Sequence, residues 1–164
     1  MRRARAFTLL EMLIACAFVA VIGALAADMF GGSRHERIEA AVRLLESDLA
    51  FARARSLAQP ADPSHLRARV DGQAGYMVVS ANDPSTAVTG PNGPVAAVFG
   101  MGRGGAAAGV AMTIVGGDSV AFGPFGGVMD PVPTIRLSMP DGPEVAVIAF
   151  DPFGGDMTVT YQSP

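Results

Sequence analysis

The chain has 164 residues, fifteen acidic against twelve basic, and a single cysteine, which is enough for one ordinary domain and too little for two large ones. Hydrophobic residues make up 50% and charged residues only 16%, against roughly 25% charged in an average soluble protein, which counts against a freely soluble cytosolic protein. A net charge of -3 offers no concentrated basic face for nucleic acid, one cysteine closes no internal disulfide, and two histidines build no His-rich metal site.

The apolar excess is unevenly placed. All twelve prolines lie at Pro60 or later and seventeen of the twenty glycines at Gly72 or later, so the first 59 residues are free to be helical. Residues 7–27 carry one charge, Glu11, and at 1.5 Å per residue such a helix rises about 32 Å, enough to cross a bilayer core. Arg2, Arg3 and Arg5 stand just before it, and basic flanks tend to stay cytoplasmic, so the remainder is expected on the exported side. After Gly31 and Gly32, residues 34–59 turn charged and amphipathic, with Ile38, Val42, Leu45, Leu49 and Ala52 at helical spacing. This stripe predicts a helix covering a sheet.

From Pro60 onward, short runs rich in Val, Ile, Thr and Phe are cut by Gly, Pro, Asn and Asp, a strand-and-turn composition. Strands are predicted at 66–70, 76–81, 95–99, 110–115, 119–122, 134–138, 144–150 and 157–161, forming an antiparallel sheet packed by one helix. Residues 82–84 and 90–94 read as exposed loops with little order. One segment echoes another: Ala121-Phe122-Gly123-Pro124-Phe125-Gly126-Gly127-Val128-Met129 recurs as Ala149-Phe150-Asp151-Pro152-Phe153-Gly154-Gly155-Asp156-Met157. Each copy reads as a strand ending in Phe, a turn started by Pro, and a Gly pair free to take positive φ. Two copies make a repeated structural turn, whereas a solenoid needs at least three stacked units.

The amino terminus fits three export signals. A secretory signal peptide would be cut after Ala24-Leu25-Ala26 and release a soluble protein. A lipoprotein signal would use Leu13-Ile14-Ala15-Cys16 and lipidate Cys16, but its apolar core would be short and would contain Glu11. The carboxylate discriminates between the readings. In a membrane-crossing stretch it costs roughly 2.5 to 3.5 kcal/mol on insertion scales and so asks for a partner. Cleavage before Phe7 would create a new α-amino group four residues from Glu11, a cation able to neutralise the carboxylate of a neighbouring subunit.

Ala6-Phe7-Thr8-Leu9-Leu10-Glu11, following a short Arg-rich leader and opening an apolar helix, resembles the class III signal of type IV pilins and type II secretion pseudopilins. Residues 48–58 are similar to the second half of the long helix in the H-type minor pseudopilin and FimT-like group, and the Phe-x-Pro-x-Gly segments at 122–126 and 150–154 look like turns of that group's β-domain. The resemblance implies an α+β, pilin-like fold: a long N-terminal helix, membrane-spanning in its first half, packed on a C-terminal antiparallel β-sheet domain. It implies a leader over residues 1–6, a transmembrane helix over 7–29, an amphipathic periplasmic helix over 30–59 and a β-rich periplasmic domain over 60–164. A prepilin peptidase would cut between Ala6 and Phe7 and methylate Phe7; Ala6 stands where the family usually has Gly. Glu11 would serve assembly.

The resemblance further implies a single-pass protein of the bacterial inner membrane, with its N-terminus cytoplasmic and its C-terminal domain periplasmic. It would be an assembly part of a type II secretion pseudopilus and not an enzyme, with other pseudopilins, the prepilin peptidase and inner membrane lipid as partners, no nucleic acid, no cofactor and no metal. A FimT-like minor pilin of a type IV pilus shares these residues. Two rivals stand further off: a secreted β-domain binding protein released after Ala26, and a membrane-anchored periplasmic enzyme that lacks a catalytic constellation.

Other motifs carry less. Gly100-Met101-Gly102-Arg103-Gly104-Gly105 matches GxGxxG in form, but Gly109 and a Val-rich run follow where a helix should begin, so a flexible loop is expected. His35 and His65 lie outside metal-ligand spacing and read as solvated. A calcium site among Asp118, Asp130, Asp151 and Asp156 competes with the ordinary role of Asp in closing turns.

Overall fold

A computed structural model describes residues 9–30, 34–69, 71–140 and 142–162. The chain divides into two compact units, Met1–Ser33 and Arg34–Pro164. Among the described residues the first contains the helix α1 (Leu9–Phe30). Among the described residues no helix is long and apolar enough to cross a membrane, which overturns both the membrane-spanning first half of the expected fold and the single-pass inner-membrane placement. Glu11 and Asp28 both fall inside α1, and the charge-free run between them, residues 12–27, rises only about 24 Å, against roughly 30 Å of hydrocarbon. The fold is α+β, an N-terminal helical region and a β-sheet domain.

In the second unit α2 (Arg34–Ala58) carries Glu36 in its first turn and Arg55 in its last, each complementing the helix dipole, and Glu39 pairs with Arg43 one turn on at 2.5 Å. Pro60 cannot continue it. The expected stripe is the buried face: Ile38, Leu45, Leu49 and Ala52 are fully covered and Val42 nearly so.

The β-domain holds two four-stranded antiparallel sheets where one was expected. The first has the order β5-β2-β1-β7, built from β1 (Ser64–Ala68), β2 (Gly75–Ser80), β5 (Ala96–Val98) and β7 (Ser119–Ala121). The second has the order β10-β9-β8-β6, from β6 (Ala111–Val115), β8 (Thr134–Ser138), β9 (Val145–Phe150) and β10 (Met157–Gln162). The stretch read as a loop over 90–94 instead closes a short hairpin of β3 (Thr89–Gly90) and β4 (Gly93–Pro94). It is held by Val88 N donating to Val78 O and Val95 N to Val88 O, each at 2.8 Å. Alternation places Leu66 and Val120 of one sheet, and Ile135, Leu137, Ala146 and Ile148 of the other, in one core with the α2 stripe. Val70, the end of the first predicted strand, lies outside the described residues.

Polar bonds tie the end of α2 to the first sheet. Arg55 donates to the Asp62 carboxylate and to Ser64 Oγ, both at 2.8 Å, and the Ser80 hydroxyl donates to the other Asp62 oxygen. These bonds, Ser80 first and Arg55 second, hold the Asp62 carboxyl down to about 2. His35, read as solvated, is exposed; it also bonds Glu144 at 2.5 Å and lies 5.5 Å from the Tyr161 ring, and that bond raises its pKa. His65, also read as solvated, is half-buried in β1, and burial lowers its pKa.

The Asp62 carboxyl is depressed from 3.8 to about 2, so its contribution to stability is present above the unfolded value and fades as pH falls through that window. Denaturant titrations of the wild type are expected to lose stability between pH 4 and pH 2. Asp62→Asn should flatten this part of the profile, and an unchanged slope in the variant would contradict the assignment.

Candidate functional site

Ala6 and Phe7 lie outside the described residues. Glu11 falls in the first turn of α1 and is exposed. Around it the helix shows apolar surface on every side: Leu10, Met12, Leu13, Ile14, Phe18, Val19, Val21 and Ile22 are all between 46% and 70% exposed. At 100° per residue these positions encircle the axis. Cys16 is exposed on the same helix.

In the second unit the two echoed turns lie against each other. The first is closed by Gly123 N donating to Gly127 O at 2.8 Å and by Met129 N donating to Ala121 O at 2.8 Å. The second is closed by Asp151 N donating to Asp156 O and Gly155 N to Asp151 O, also at 2.8 Å, with the Asp151 carboxylate accepting from Gly154 N at 2.6 Å. A Cβ on Gly155 would collide with the Gly126 carbonyl oxygen, and one on Gly127 would meet the Pro152 and Phe153 oxygens at 2.8 and 3.0 Å. Glycine is therefore what lets the backbones touch. Arg53 of α2 seals the joint: Cβ atoms at Gly126 and Gly155 would lie 3.2 and 3.4 Å from its Nε, and its Nη1 pairs with Asp156 at 3.1 Å.

The two phenylalanines of each copy do different work. Phe122 and Phe150 enter the core, whereas Phe125 and Phe153 are each 91% exposed. With Leu57 and Met129, both 49% exposed, they give the paired turns an apolar tip. Scattered exposed apolar residues are ordinary, but clustered ones mark contact surfaces.

Sequence reasoning missed a second cluster. Asp48 sits inside the apolar stripe of α2, 3% exposed. It accepts from Tyr76 Oη at 2.8 Å and from Arg103 Nη2 at 2.7 Å, which meets the demand of a buried charge for partners. Burial first, then the Asp48 charge, pushes the Tyr76 phenol up; the bond to Asp48 raises the Arg103 guanidinium. The signal was available, since an acid between Leu45, Leu49 and Ala52 faces inward by spacing alone. Arg103 belongs to a 3-10 helix, η1 (Gly102–Ala107), where a flexible loop was expected. The segment is ordered because Gly104 backs onto the Val98 carbonyl, leaving no room for a Cβ. Beside the cluster, α2 and the β3–β4 hairpin enclose a cleft of about 240 Å³ walled by Phe51, Pro91, Pro94 and Val95.

Among the described residues no group of three or more His, Cys, Asp or Glu is placed to hold a metal ion. Of the acids considered for calcium, Asp151 caps its own turn and Asp156 pairs with Arg53. Comparison with family models, with curated proteins and with solved structures finds no match.

Gly72 and Gly155 both adopt positive φ, 78° and 68°, but a Cβ on Gly72 meets nothing within 4 Å. Gly72→Ala is expected to cost roughly 1 kcal/mol from backbone strain, and Gly155→Ala a further 1–3 kcal/mol or so from overpacking. Equal unfolding free energies for the two variants in denaturant melts would refute the close approach of the turns.

Proposed function

We propose that the chain is a minor pseudopilin subunit of a type II protein secretion system, taken into a pseudopilus through α1. The observation that carries this reading is the exposed apolar surface surrounding α1. A helix that is apolar all round needs cover, and among the described residues no helix is long and apolar enough to find it by crossing a bilayer. Packing with α1 helices of neighbouring subunits supplies that cover in the manner of helical bundles.

The leader and its cut give this packing a polar key. Removal of residues 1–6 by a prepilin peptidase frees the amine of Phe7, which is then N-methylated and keeps its charge. In the assembled bundle that cation pairs with Glu11 of a neighbour, so the single acid at the head of an apolar helix sets how far one subunit is displaced along the next. The β-domain contributes contacts with other pseudopilins.

Mass spectrometry of the chain isolated from a cell carrying a type II secretion system is expected to show a mature N-terminus of N-methyl-Phe7. A chain beginning at Ala27 would overturn the reading. Glu11→Ala should leave the chain expressed and cleaved while its incorporation into the pseudopilus falls about tenfold, equivalent to about 1.4 kcal/mol per subunit. Undiminished incorporation, scored by co-purification with sheared filaments, would remove Glu11 from assembly.

A further inference from the structure

The first turn of α2 is fastened to the β-domain from outside the core, and we infer that His35 and Glu144 form a pH-dependent clasp there, which tightens when the imidazole takes up its second proton. Arg34, His35 and Glu36 are exposed and Arg37 is half-buried, so the buried stripe of α2 begins only at Ile38. The leading N–H groups of a helix lack partners inside it, and a turn without buried apolar contacts is where a helix opens first. Side-chain bonds therefore decide whether this turn stays in place.

The bond in question spans 109 residues of sequence, with His35 Nδ1 and Glu144 Oε1 2.5 Å apart. Glu144 stands on the connection between β8 and β9, directly before β9. Arg34 lies along the same connection, its Cδ 3.6 Å from where a Cβ on Gly142 would be. On the other side the His35 ring is 5.5 Å from that of Tyr161 in β10, within the roughly 6 Å over which a cation is drawn to an aromatic ring. The start of α2 is thus held at the entry to β9 and at the edge strand β10.

The groups that act on the imidazole are Glu36 and Glu39 on α2 and Glu144 on the β8–β9 connection. Arg34 and Arg37 are its cationic neighbours in the same turn, the Tyr161 phenol faces it from β10, and Arg43, Glu46 and Glu144 act on that phenol. The Glu144 bond, then its charge, holds the imidazole above its ordinary value against the cost of desolvation. Burial raises the Tyr161 phenol, so it stays neutral while His35 titrates.

With both ring nitrogens protonated, Nδ1–H donates a charge-assisted bond to the carboxylate and the cation faces Tyr161. With one proton gone, at most a neutral bond remains, roughly half as strong, and the attraction of a cation to the ring is lost. Because the folded-state value is raised, the clasp's contribution is complete below the ordinary imidazole value and is lost as pH rises through the folded one. The helix dipole alone acts in the opposite sense, since a cation in the first turn is unfavourable. The sign of the response therefore separates the clasp from a dipole effect. With the clasp closed the ordered second unit begins at Arg34, and with it open at Ile38. The device involves neither α1 nor the pseudopilin reading.

Hydrogen exchange read by mass spectrometry tests this on the full chain in detergent micelles, at about pH 6 and about pH 8.5, with rates corrected for the intrinsic pH dependence of exchange. A peptide covering residues 34–41 should exchange about threefold faster at the higher pH, while one covering residues 45–52 stays unchanged. Glu144→Gln should bring the faster rate to both pH values, and His35→Arg, a cation at every pH, should hold the slower rate at both. Circular dichroism checks that these exposed substitutions leave the fold intact. Independently of the exchange rates, the His35 Cε1–H resonance should titrate above the ordinary imidazole value and return toward it in Glu144→Gln. Equal rates at both pH values in the wild type, faster exchange on acidification, or a pH response that survives Glu144→Gln would each overturn the clasp.

Discussion

One helix has to serve two sheets, and the burial of its stripe is the constraint on which the second unit depends. Ile38, Ala41, Leu45, Leu49 and Ala52 have no exposure, and α2 lies against β1 of the first sheet and against β8 and β9 of the second. An apolar stripe alone fixes which face points inward but tolerates sliding along the axis, because hydrophobic burial has no direction. Asp48 removes that freedom. Its carboxylate is tolerable in the core only where Tyr76 from β2 and Arg103 from η1 both reach it, and those donors come from elements far apart in sequence. A displacement of α2 by one turn would leave a buried charge unpaired, so the polar cluster supplies register to a packing that would otherwise lack it.

What could be read in the sequence was what local spacing encodes. The α2 stripe repeats every three to four residues, and β8 runs over the predicted 134–138 because Ile135 and Leu137 alternate with Arg136. Pairing is another matter. β6 joins β8 and not β7, which follows it directly, while β7 crosses to β1 in the other sheet; nothing in residues 111–121 reveals that separation. Segments rich in Gly and Pro were also misread, since their composition gives conformational freedom in the unfolded chain while their order comes from contacts. The 3-10 helix forms because Gly104 can touch the Val98 carbonyl, and the β3–β4 hairpin because Val78 and Val95 hold it in place. The echoed turns were plain as a pattern, yet their contact with each other and the outward turn of Phe125 and Phe153 required the folded chain. The histidines follow the same rule: His35 has its acid 109 residues away in Glu144.

For α1 the apolar count was legible and misleading. Twenty-one residues with one charge suggest a span, but Asp28, one position beyond that run, still belongs to the helix. Carboxylates at both ends shorten the charge-free rise below the thickness of a bilayer core. A helix of this kind asks for cover along a limited length, and other helices meet that need at any length.

Such cover is non-specific in one respect that bears on assembly. The exposed apolar residues of α1 surround its axis, so no side of the described stretch is preferred in packing, and dispersion and apolar burial would hold neighbours together at any rotation. In the proposed assembly, pairing of Glu11 would fix displacement along the axis and leave rotation free. A helical array with a defined twist needs a second contact away from α1, one that is directional and different at its two ends.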